Sequence, residues 1–115
     1  MNLLPNDAQK IEIENSTVDF FKFIEDGLTC YYFDTSMCGP PEPMVNAMLG
    51  LQLLKEKNDR LIMVNHTAPN GLFPKIENNF GFEISEMEDE RIKVVFNYKI
   101  DTVDQTDFAS NTCKG

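Results

Sequence analysis

Tryptophan is absent from this chain, histidine occurs once, and the three cysteines (Cys30, Cys38 and Cys113) are too few, and odd in number, for a disulfide framework. The single histidine, His66, leaves no second imidazole for a metal centre within one chain; with Cys38 it gives two ligands, short of the four of a structural zinc site. No apolar run approaches the roughly 20 residues that a membrane-spanning helix requires. The opening MNLLPNDAQKIEIE lacks a basic stretch followed by a long apolar one, so no secretory signal is read there. Basic residues are scarce too: 10 Lys and Arg stand against 19 Asp and Glu, a net charge of -9, and none form a run. Phosphate backbones and anionic membranes are bound by clustered cations, so nucleic acid and membrane are excluded as expected partners. The acidic excess is read as serving solubility. Without an export signal the thiols are expected to be reduced and the protein cytoplasmic.

What is present fits one globular domain: 115 residues, 42% hydrophobic and 25% charged. The chain divides into an N-terminal extension (1–27), a region of alternating strand and helix signals (28–100), and a tail (101–115) that is expected to be flexible. The tail, DTVDQTDFASNTCKG, has two large apolar residues among small and acidic ones and can bury little. Within the extension, VDFFKFIEDG reads either as a strand entering a hairpin about Asp26–Gly27 or as a short helix. The acidic Glu25–Asp26 pair is misplaced at a helix C-terminus, which favours the hairpin.

In the middle region LTCYYFDT (28–35) is aromatic and β-branched and predicts a strand. Residues 41–57 predict a helix, with Met44, Ala47, Met48, Leu51 and Leu54 forming one stripe and Pro41 in the first turn. RLIMVN (60–65) is apolar on both faces and predicts a central strand. A second helix is expected over about 70–80, with Asn70 as N-cap, Leu72, Phe73 and Ile76 buried, and Gly81 as C-cap. FEISEM and IKVVFNYKI then predict two strands joined by the acidic link EDER. The order is βαβαββ: an α+β, two-layer sandwich with a four-stranded mixed sheet and both helices on one face.

The run FDTSMCGPPEP, followed by a helix and a central strand, resembles the TusA/SirA-like superfamily of small proteins. Its signature is an Asp, a Cys six residues later, and Pro-x-Pro. With Asp34 on that Asp, Pro41 and Pro43 fall on the two prolines and Pro40 takes the cysteine position. Cys38 lies two residues upstream, where the superfamily usually has an aliphatic residue. The Pro-Pro-Glu-Pro version, with VNH and the step from His66 to Pro69, is similar to a branch of the superfamily that is a domain of unknown function in bacteria. The resemblance covers about residues 30–99 and implies the sandwich fold. It implies no particular chemistry, since a shared fold does not carry a shared activity.

If the strands at 28–34 and 60–65 are parallel neighbours, the loops carrying Cys38 and His66 open at one mouth, where open α/β sheets take ligands. The candidate ligand-binding residues are Cys38, Gly39, Pro40, Pro41, Glu42 and Pro43 from the first loop. Asn65, His66, Thr67 and Pro69 come from the second. Two helix N-termini at that mouth would suit a small anion; the other partner expected is a second cytoplasmic protein. Cys38 reads as a thiol activated by the helix end or as a small buried side chain in a stiff turn, the latter expecting an unactivated pKa. His66 reads as a backbone-bonded histidine, as the partner of Cys38 in a nucleophilic pair, or as a haem or metal ligand. No catalytic set is read in the chain and no cofactor is called for. The leading expectation is a non-catalytic binding or adaptor module. A sulfur or persulfide carrier using Cys38 is the first alternative, and haem or metal binding through His66 the second.

Overall fold

The computed structural model describes residue 5 and residues 7–99, so the tail expected over 101–115, with Cys113, lies outside the described residues. The elements are β1 (Gln9–Ile11), β2 (Phe20–Glu25), β3 (Leu28–Asp34), α1 (Glu42–Leu51), β4 (Asp59–Asn65), α2 (Phe73–Ile76), β5 (Phe80–Glu86) and β6 (Ile92–Tyr98). Among the described residues the α+β class with a mixed sheet and two helices is present, but the sheet has six strands in the order β1-β2-β3-β4-β6-β5, not four. The additional two come from the N-terminal extension. A two-residue turn at Asp26 (φ 54°) and Gly27 (φ 80°) folds β2 back along β3. Both central residues take left-handed backbone, the geometry that an Asp-Gly hairpin favours because it matches strand twist. Residues 1–27 therefore do not stand apart: Phe20 is fully buried and its ring stacks on Phe33 with centroids 4.9 Å apart.

Strands β3 and β4 are parallel, from Thr29 opposite Asp59 to Asp34 opposite Val64; every other pair is antiparallel. Side chains alternate across a strand, so one parity of the sheet meets the helices. Phe33, Leu61, Met63, Val94 and Phe96 join Ala47 and Leu51 of α1, and Leu72 and Ile76 around α2, in a single core. Both helices thus cover the same face. The opposite parity forms a smaller cluster of Phe23, Cys30, Tyr32 and Val64 with no helix of the described residues over it. Burial pushes the Cys30 thiol pKa up, as suits its place in the packing.

Both helices are shorter than the periodicity predicts. Helix α1 ends at Leu51, not at residue 57. The next three residues turn in tighter bonds, Gln52, Leu53 and Leu54 donating to Leu49, Gly50 and Leu51. Asp59 then accepts from the amides of Lys55 (2.8 Å) and Glu56 (3.1 Å), bending the chain into β4 while Leu54 stays buried. Helix α2 is a single turn, Phe73–Ile76, with Leu72 and not Asn70 at its N-cap position. Gly81 is no C-cap. It lies in β5 opposite Asn97, whose Oδ1 would be 2.8 Å from any Cβ placed there. Strand alternation prevails because Phe80 stacks on Tyr98 (5.3 Å) and Phe82 on Phe73 (4.0 Å), aromatic contacts that a helix through these residues would lose.

Candidate functional site

Because β3 and β4 run in parallel, the segments that follow them leave the sheet at the same edge. They are tied together there before they diverge. The backbone N–H of Thr35 donates to the Val64 carbonyl at 2.8 Å. The buried Thr35 hydroxyl donates to Asn65 Oδ1 at 3.0 Å, and Asn65 Nδ2 donates to the Thr67 carbonyl at 2.9 Å. Buried polar groups must find such partners, and here the partners fix one loop against the other. Asn65, a candidate ligand-binding residue, therefore has both side-chain polar atoms engaged within the fold.

Asp34 is similarly engaged. Its Oδ1 accepts from the Ser36 amide (2.8 Å) and hydroxyl (2.6 Å), shaping the turn after β3. Its Oδ2 accepts from Arg91 at 2.9 Å, linking this edge to the start of β6. Arg91 also pairs with Asp89 at 2.7 Å, which holds the Asp89 carboxyl below its usual pKa.

Above these ties lies a cavity of about 330 Å³ lined by Pro40, Pro41, Pro43, Met44, Asn65, His66, Thr67 and Pro69. It sits at the small end of the volumes typical for ligand pockets. Seven of the sequence-derived residues meet there. Cys38, Gly39 and Glu42 do not line it. Met44 was not foreseen as a lining residue, since the helical stripe assigned it to the core. Its position at the N-terminal end of that stripe was the available signal, because a stripe that reaches a helix end runs out of core to pack against. The Pro40–Pro41 peptide bond is cis.

The helix end is poor in donors. Pro41 and Pro43 have no N–H, and the Glu42 amide donates to the Gly39 carbonyl at 3.1 Å. An anion site at a helix N-terminus needs several free amides converging on one point. Helix α2, at one turn, adds no second dipole of consequence. The two-helix anion cradle expected from the sequence is therefore not assembled.

Cys38 lies four residues ahead of the first helical residue, Glu42, in a turn closed by its own amide donating to Thr35 (2.9 Å). Its thiol pKa is raised, by desolvation first, then by a hydrogen bond to the Glu42 carboxylate and by the negative charges of Glu42 and Asp34. The carboxylate of Glu42 also accepts from the Thr17 hydroxyl at 3.0 Å. Buried Asn46 completes that knot, accepting from the Thr17 amide (3.0 Å) and donating to Thr17 Oγ1 and the Glu42 carbonyl (both 2.8 Å). The extension is thereby fastened to α1 beside the mouth. His66 is exposed on the cavity rim. Among the described residues, no three His, Cys, Asp or Glu side chains converge as a metal site. Nor is any helix among them long and apolar enough to cross a membrane.

No protein-family model, curated protein or solved structure matches the chain.

Proposed function

We propose that this protein is a non-catalytic binding module whose mouth cavity receives an apolar side chain of a partner protein. One observation carries the reading: four prolines and Met44 wall a cavity of about 330 Å³ whose helix end offers few free donors. Such walls reward burial of hydrocarbon, at roughly 25 cal/mol per Å² removed from water. His66 and Thr67 on the rim supply the hydrogen bonds that orient a peptide backbone. A TusA/SirA-like ancestry and a cytoplasmic, bacterial setting belong to the same proposal. The β3–loop–α1–β4 order, with Pro41 and Pro43 opening α1, supports them. The sulfur-carrier alternative has less support, since a carrier needs thiolate and the carboxylates around Cys38 oppose it. Haem or metal binding through His66 would rest on one imidazole.

The test is an NMR titration of the methyl and amide signals with N-acetyl-leucinamide, N-acetyl-leucine and sulfate in parallel. The neutral amide should shift Met44, Thr67 and His66 more than either anion. Saturating shifts from sulfate, with none from the amide, would reinstate the anion reading.

A further inference from the structure

The sheet ends in two unlike edges: β1, with three residues, and β5, with seven. In an antiparallel edge strand, every second residue directs its N–H and C=O away from the sheet. Among the described residues, Phe80–Glu86 make no backbone hydrogen bond outside the β5–β6 ladder. The register from Phe80 opposite Tyr98 to Glu86 opposite Ile92 runs without a bulge, and FGFEISE contains neither Pro nor Lys. Natural edges are usually blunted by one of those devices; here charge alone does so. Helix α2 covers only the beginning of the strand, where Phe73 meets Phe82. Glu83 to Glu86 are exposed, and Ile84, on the helix side, is 46% exposed.

We propose that the outer edge of β5, unpaired among the described residues, accepts an extended basic segment of a partner protein as an added strand. The outward backbone groups supply a ladder that any extended chain can complete. Glu83 on one face, and Glu86 beside Ile84 on the other with Glu88 and Glu90 in the adjoining turn, make this edge acidic on both faces and select for Lys and Arg on the incoming strand. Ile84 offers it an apolar contact. A second copy of this chain is a poorer occupant, because self-pairing sets glutamates near glutamates between chains that each carry a net charge of -9.

The experiment uses hydrogen exchange resolved by residue, on the full chain, with three synthetic peptides. One alternates Lys and Val, one alternates Glu and Val, and one carries the same positive charge but has Pro at every other Val. The Lys-Val peptide should slow exchange of alternate amides within Phe80–Glu86 by about tenfold or more, while the other two leave them unchanged. Replacing Glu83→Lys and Glu86→Lys together should weaken the Lys-Val peptide roughly tenfold and admit the Glu-Val peptide. Protection by the proline peptide, protection located elsewhere, or none at millimolar Lys-Val peptide would overturn the proposal. So would protection of β5 that rises with protein concentration alone, which would assign the edge to a second copy. The peptide comparison on the unaltered chain decides the matter even if the charge-reversed variant folds poorly.

Discussion

The two crossovers of this sheet begin from similar sequence signals and end as different structures. Between β3 and β4 the chain builds ten residues of helix, seated through Ala47 and Leu51 on a core shared by four strands. Between β4 and β5 it must pass over β6 before pairing, yet it builds a single turn. Both connections open with prolines and both supply apolar residues at helical spacing. The first repeats that spacing from Met44 through Leu51, while the second has only Leu72, Phe73 and Ile76. One turn of apolar side chains anchors a loop; three turns make a layer. The consequence is functional. The complete layer walls the mouth cavity with Met44, and among the described residues the incomplete one leaves the outer half of β5 exposed.

Large-to-small substitutions should expose that inequality most strongly. Leu51→Ala, in the fully packed crossover, is expected to cost about 3 kcal/mol in urea unfolding. Phe73→Ala, on the partly exposed turn, should cost nearer about 1.5 kcal/mol, the ring stack on Phe82 being most of what is lost. Equal losses would mean that the second crossover is packed as firmly as the first.

A subtler comparison uses exposed helical sites. Met48→Gly should destabilise by about 1 kcal/mol, since α1 depends on sustained helical backbone. Lys75→Gly should cost less than about 0.5 kcal/mol, because a single turn held at both ends by packing has little propensity to lose. A larger effect at Lys75 than at Met48 would reverse the ranking of the two connections.

The smallest effect concerns the start of the first crossover. With its thiol pKa raised, Cys38 should alkylate slowly at neutral pH and faster only as the pH climbs past the ordinary thiol range. Glu42→Gln removes the charge that discourages ionisation, so iodoacetamide labelling at a fixed pH near 8 should accelerate, as followed by mass. Rapid labelling of the unaltered protein at pH 6 would show an activated thiol and promote the sulfur-carrier reading.

Much of this was legible in the chain. Alternation in IKVVFNY, the two-faced apolar character of LIMV and the Asp26–Gly27 turn each specify a strand or hairpin by local physics alone. The convergence of Pro40–Pro43 with Asn65–Pro69 followed from one inference, that β3 and β4 are parallel. What misled was Gly81, a helix stop by composition but a strand residue by contact with Asn97. The extent of the sheet was read only in part: the Asp26–Gly27 hairpin brings β2 onto β3, whereas β1, three residues far from that turn, pairs with β2 through tertiary contact that no local pattern announces. At the mouth, the residue types were readable but the occupation of their polar atoms was not. Asn65, Asp34 and Glu42 look like ligand groups in a string and are hydrogen-bonded supports in space.

By itself the sequence determined the strand and helix alternation, the central place of β4 and the loops that would meet, since periodicity and turn chemistry act over a few residues. Only the tertiary structure decided how long each helix runs, that β1 extends the sheet beyond the hairpin, and that the cavity is walled by hydrocarbon. Those outcomes rest on contacts between residues far apart in the chain, such as Phe20 with Phe33 and Thr17 with Asn46, which no local pattern encodes.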